Sequence, residues 1–171
     1  MKIKHVKGDL LKFPEGINYI CQSCNGENVM GGGIAKQIKA EIPEMFRADT
    51  KHPTPIGEER LGEFSAAGFK RNGVKRVGFN VYGQLLSELS PSGIPTNYKA
   101  LMRGLMGVKQ ALKNNYAKRS LWQLKQPDII IGIPWLMGSG LGGGDFEVVQ
   151  TIIECVFHDL ECTIVYVEWA G

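Results

Sequence analysis

The sequence has little excess charge: 20 Lys and Arg stand against 17 Asp and Glu, a net of +3. That balance argues against a polyanion such as DNA or RNA as the main ligand, because such partners call for a concentrated basic face. Long hydrophobic runs are also missing. No apolar stretch approaches the roughly 18 residues of a membrane span, so no membrane partner is expected. Met1-Lys2-Ile3-Lys4-His5 lacks the apolar region of a secretory leader, and a cytoplasmic location is the default expectation. The four cysteines are then expected to be thiols rather than disulfides. There is no internal repeat, no low-complexity segment and no compositional break, so residues 1–171 are expected to form one domain. Nothing in the sequence speaks to oligomeric state, and a monomer is the default.

Glycine, by contrast, is abundant. The chain has 22, where average usage near 7% would give about 12. They cluster at two places. Asn25 to Gly33 follows an apolar run at Ile17–Ser23 and leads into a segment with Ile34, Ile38 and Ile42 at helical spacing, closed by Pro43. Gly138 to Gly144 follows Asp128–Pro134, a continuous apolar run of the kind expected for a strand covered on both faces. It precedes a helix opening at Asp145 with Phe146, Val149, Ile152, Ile153, Val156, Phe157 and Leu160 on its apolar face.

Between the clusters, residues 50–60 hold Pro53, Pro55 and Gly57 and read as a mobile surface loop. Leu61–Phe69 and Lys75–Tyr82 read as a hairpin across Asn72-Gly73. Tyr98, Leu101, Leu105, Val108 and Leu112 mark one face of a helix to about Asn114. Strands alternating with helices predict an α/β fold, with a mixed, mainly parallel central sheet between two helical layers.

Both glycine clusters are strand–loop–helix junctions. Unpaired amides at a helix N-terminus attract anions, and glycine lets the backbone approach a diphosphate closely. Neither cluster is a P-loop, since Gly-Lys-Ser/Thr is absent, and neither is a dinucleotide fingerprint.

The order of motifs resembles the macro domain: Gly8-Asp9-Leu10, then Cys24-Asn25, then Gly31-Gly32-Gly33-Ile34-Ala35, then Ile133-Pro134 followed by Gly138-Ser139-Gly140-Leu141-Gly142-Gly143-Gly144-Asp145-Phe146. The likeness runs through nearly the whole chain. It is closest in style to the compact branch of ADP-ribose-1''-phosphate phosphatases and ADP-ribosyl hydrolases. The resemblance implies a three-layer α/β/α fold, ADP-ribose or an ADP-ribosylated macromolecule as partner, and no cofactor or metal. It implies that Asp9 accepts from the adenine amino group beside Leu10, and that Asn25 orients the distal ribose. Gly32, Gly33 and Ile34 would line that ribose, and Ser139, Gly140, Leu141 and Gly142 would wrap the diphosphate.

A hydrolase acting on a substituent of the distal ribose is the activity the resemblance favours. The chain departs from the family's hydrolases at three positions: Ala35 where some carry an acid, Gly142 where others carry Asp, and Gln22 where some carry His. Asp145 remains as candidate general base, against its reading as a helix N-cap. Asn25 is a candidate for positioning water. A non-catalytic reader of ADP-ribose is the alternative. A nucleic-acid or partner-binding module, suggested by the basic stretch Lys113–Lys125 with Tyr116 and Trp122, is a weaker one. Trp169 has two readings, adenine stacking or closure of the core. Asn80 and Tyr82 are further candidates for the cleft. Cys21-x-x-Cys24 with His158 and Cys162 departs from zinc spacing.

Overall fold

A computed structural model describes residues 1–123 and 127–170. Six strands form one sheet: β1 (Lys2–Gly8), β2 (Tyr19–Asn25), β3 (Phe64–Arg71), β4 (Val74–Gln84), β5 (Ile130–Pro134) and β6 (Thr163–Trp169). Their spatial order is β1-β6-β5-β2-β4-β3. Every neighbouring pair is parallel except β3 with β4, the hairpin whose turn residues Asn72 and Gly73 both have positive φ.

The alternation of side chains along each strand feeds two cores. Cys21, Ile131, Ile133, Ile164 and Tyr166 face α3 (Tyr98–Leu121) and α4 (Phe146–Phe157). Ile20, Val165 and Val167 face the other way, toward α1 (Gly33–Glu41), α2 (Pro43–Thr50) and the 3-10 turn at Leu10–Lys12. The result is the expected three-layer α/β/α arrangement around a mixed, mostly parallel sheet.

Pro43 closes α1, as its missing amide hydrogen requires, and also starts α2, because proline suits the first helical position. Helix α3 runs past Asn114 to Leu121. Its buried face is Leu101, Leu105, Val108 and Leu112, whereas Tyr98 at its head stays partly exposed.

Residues 50–60 form the largely exposed surface segment expected of them. Arg60 is buried and anchors the segment: its guanidinium donates to the Thr54 carbonyl at 2.8 Å and to Asn28 Oδ1. It also lies 3.6 Å from the buried carboxylate of Asp49. Tyr82 donates to Asp49 Oδ1 at 2.9 Å, Ser65 shares a 2.9 Å bond with Tyr82, and Asn80 donates to Ser65 at 3.0 Å. Gln22 donates to Asn80 at 2.8 Å. Asn80 and Tyr82 therefore belong to a buried polar chain under α2, and neither lines a cleft. A single arginine in this chain anchors a segment that its Pro and Gly residues keep as a loop.

Burial raises the Asp49 pKa, opposed by the Tyr82 hydroxyl first and then by Arg60 and His52. Removing a partner from such a network leaves a buried acceptor exposed to its full desolvation cost. Tyr82→Phe is expected to lower unfolding free energy by about 1–3 kcal/mol, read from urea denaturation; an unchanged midpoint would show that the chain contributes nothing to stability.

Candidate functional site

Five parallel strands end on the same edge of the sheet, and the loops leaving them enclose one cavity of about 750 Å³. Its wall draws Gly8 from β1, Asn25 from β2, Gln84 from β4, Pro134 from β5 and Trp169 from β6. Both glycine junctions open into it. Gly32, Gly33 and Ile34 come from the first, and Gly140, Leu141 and Gly142 from the second, with Leu10 at the far end. The two junctions share a single cleft.

The amides supply its polarity. Gly33, Ile34 and Ala35 head α1, where the first turn has no intrahelical acceptor, and no side chain caps it. The amides of Gly140, Leu141 and Gly142 have no acceptor among the described residues, whereas those on either side do: Ser139 donates to Leu136 O at 2.9 Å and Gly143 to Gly140 O at 3.1 Å. The second loop is tied from outside by a residue the sequence reading passed over. Thr96 Oγ1 donates to Gly138 O at 2.7 Å, and the Thr96 amide donates to Gly142 O at 3.0 Å. Tyr98 then accepts from the Asp145 amide at 2.8 Å.

Not every expected site residue enters the cleft. Asp145 caps α4: its Oδ1 accepts from the Glu147 amide at 2.9 Å, and the residue lies outside the cavity wall. The N-cap reading describes its position. Ser139 also lies outside the wall, with its Oγ sealed from solvent and without a partner among the described residues. Asp9 sits next to the wall rather than in it, and its Oδ1 caps the 3-10 turn through the Leu11 amide at 2.9 Å. Asn25 lines the cleft but spends its amide locally, accepting from Glu27 and Val29 and donating to Val29 O. It shapes the loop that bears the first glycines. Trp169 is 59% exposed at the rim, so of its two readings closure of the core does not fit.

Trp135 is a cleft residue that no motif signalled. It stacks on His5 at 4.1 Å and meets Phe146 edge-on at 4.5 Å. Cys24 lines the cleft too, but burial pushes its thiol pKa well up, and the Cys21 thiol to about 12. Burial of this kind disfavours the thiolate, the form that acts as nucleophile. Among the described residues no group of three or more His, Cys, Asp or Glu converges to hold a metal.

The basic stretch is remote. Helix α3 starts beside the cleft, where the Asn97 amide donates to Gly83 O, and its 24 residues span about 36 Å. Lys113, far along it, pairs with Asp159 at 3.7 Å. The Tyr116 side chain and residues 124–126 lie outside the described residues. No helix among the described residues is long and apolar enough to cross a membrane.

Among the described residues, Glu88 is the one charged residue in the cavity wall. Glu27, on the loop that follows β2, holds both carboxylate oxygens away from water. Desolvation raises its pKa, Glu88 adding to the effect, while the Leu86 amide and Arg60 act against it.

No model of a known protein family matches the sequence. An uncharacterised 17.5 kDa protein from the tk-vs intergenic region of enterobacteria phage T4 is 29% identical over 171 residues, covering 99% of this chain and 97% of the phage protein. Among solved structures, the macrodomain of Mycobacterium tuberculosis DarG superposes with a TM-score of 0.66 at 22% identity, covering 97% of this chain and 96% of that one. Thermosipho africanus DarTG, solved in complex with ADP-ribose, superposes at 0.62 with 19% identity, covering 94% of this chain and 40% of that one. The chain has the macrodomain fold.

Two glycine substitutions are expected to part company. A Cβ on Gly142 would lie 2.5 Å from Gly138 O and 2.6 Å from Thr96 Oγ1, both fixed. One on Gly32 would meet only the tip of the Leu141 side chain, which is 79% exposed and free to swing. Gly142→Ala should cost about 1–3 kcal/mol and Gly32→Ala much less; equal melting temperatures would contradict this packing.

Glu27 gives a pH signature. Its folded pKa lies above the unfolded value near 4.5, so folding disfavours the ionised form. The penalty is complete above the folded pKa and absent below the unfolded one. Glu27→Gln should raise the melting temperature at pH 7.5 relative to the native chain, with the difference closing as pH falls through about 4.5. A difference that holds constant with pH would contradict the assignment.

Proposed function

We propose that this protein binds ADP-ribose in the cleft at the carboxyl edge of its sheet. The observation that carries the reading is that both glycine junctions, with amides that have no acceptor among the described residues, line one cavity whose described wall residues include no lysine or arginine. A ligand held there must place its negative charge against backbone N–H groups, which a compact diphosphate does. The remaining wall is mostly apolar, with Leu10, Trp135, Val167 and Trp169 toward the β1 and β6 side. Such a wall suits a nucleobase, and the exposed ring of Trp169 is available to stack on it. Asp9, beside Gly8, keeps one carboxylate oxygen free of its cap and offers an acceptor for an exocyclic amine. The distal ribose then falls toward Asn25, Gln84 and Glu88 on the β2 and β4 side. That DarTG was solved with ADP-ribose supports the choice of ligand.

A second reading adds a reaction: hydrolysis of a substituent from C1'' of the distal ribose, as in an ADP-ribosyl hydrolase or an ADP-ribose-1''-phosphate phosphatase. Glu88 favours it, as the one carboxylate in the wall and on the side assigned to that ribose. Water would attack C1'', the carboxylate would accept its proton, and the substituent would leave with the bonding electrons and be protonated. Asn25 would act by shaping the loop rather than by moving a proton, since an amide is no base at neutral pH.

Calorimetric titration with ADP-ribose, AMP and an oligonucleotide separates the classes: ADP-ribose is expected to bind and the oligonucleotide not, and the reverse pattern would end the proposal. Asp9→Asn preserves a capping oxygen and should weaken ADP-ribose by about 1.5–3 kcal/mol, whereas unchanged affinity would remove the adenine assignment. If an ADP-ribosyl ester is turned over, Glu88→Gln should lower kcat at least about a hundredfold; full activity in that variant would leave a reader.

A further inference from the structure

The reading of the cleft as an ADP-ribose site can be carried to the class of group tolerated at its distal end. The cleft offers a diphosphate neutral amide dipoles, and no Lys or Arg among the described residues lines its wall. Its one charged wall residue is negative. Glu88 follows the end of β4 in the turn at 85–90, and its Oε2 accepts from the Ser87 hydroxyl at 3.2 Å. On the loop that leaves β2, the charge of Glu88 helps to raise the pKa of the Glu27 carboxyl, with desolvation the larger cause. The cation near them, Arg60, is buried and already committed to Thr54, Asn28 and Asp49.

We infer that the distal end selects ADP-ribose derivatives whose C1'' substituent is uncharged or cationic, and rejects a terminal phosphate. The physical reason is simple Coulomb repulsion. A phosphate monoester adds close to two negative charges beside Glu88, with no basic side chain in the wall to answer them. An ester or glycoside of a neutral or basic acceptor adds none. Glu88 is exposed, so water screens the repulsion, and the discrimination is moderate rather than absolute. Between the candidate substrates above, this favours ADP-ribosyl groups on a macromolecule over ADP-ribose-1''-phosphate.

The test compares ADP-ribose with ADP-ribose-1''-phosphate by calorimetry, in the native protein and in Glu88→Gln, at about 30 mM and 500 mM salt, since screening lengths shrink several-fold between such conditions. Released phosphate is followed alongside. At low salt the native protein should bind the phosphate form roughly five- to tenfold more weakly. That gap should close to within about twofold both in Glu88→Gln and at high salt. Equal or tighter binding of the phosphate form by the native protein overturns the inference, as does its efficient turnover with phosphate release. A gap that survives the substitution or high salt would be steric rather than electrostatic, and overturns it too. Failure to bind either nucleotide is a different outcome: it removes the ADP-ribose site itself.

Discussion

Five strands run the same way and stop along one edge, so the loops that leave them must crowd over a single line of the sheet. Where such a loop is rich in glycine and enters a helix, its amides have no internal acceptor and turn toward whatever occupies the space above the edge. The first junction frees the amides that head α1, and the second those of Gly140 to Gly142. Everything proposed about the ligand follows from these two sets facing one cavity. Among the described residues the wall holds no Lys or Arg, so its one acidic residue, Glu88, has no counter-charge there.

The loops are not left to find that geometry themselves. Thr96 ties the second junction with a hydroxyl and an amide, and Tyr98 holds the Asp145 amide at the head of α4. The first junction is supported from beneath. Arg60 reaches Asn28, while Asn25 closes the turn before it with three hydrogen bonds of its own. Behind Arg60 stand Asp49, Tyr82, Ser65, Asn80 and Gln22, a polar chain buried in a layer that could have been apolar. Hydrogen bonds link each member to the next, so the chain acts as a prop, although Gln22 Oε1 stays buried without a partner among the described residues.

Residues legible from sequence were those whose role depends on their own neighbours. The hairpin at Asn72-Gly73, the buried strand at β5, the helix-breaking Pro43 and the cap at Asp145 all follow from local chemistry, and the structure shows each of them. Residues whose role depends on a distant partner were not. Arg60 looked like one more charge in a loop, yet it is among the most deeply buried side chains. Thr96, Trp135 and Glu88 carry no motif, and they matter because of what the fold sets beside them. Asp145 and Ser139 adjoin the second glycine run, yet neither belongs to the cavity wall.

The sequence by itself determined the elements, their alternation, the two glycine-bearing junctions and hence the class of fold, because periodicity, caps and turns are properties of short segments. Only the tertiary structure decided which side chains share the cleft, which are consumed in holding it, and that its one charged wall residue is acidic. Those are facts about residues brought together from strands far apart in the chain, and they depend on the order β1-β6-β5-β2-β4-β3, which no local pattern encodes.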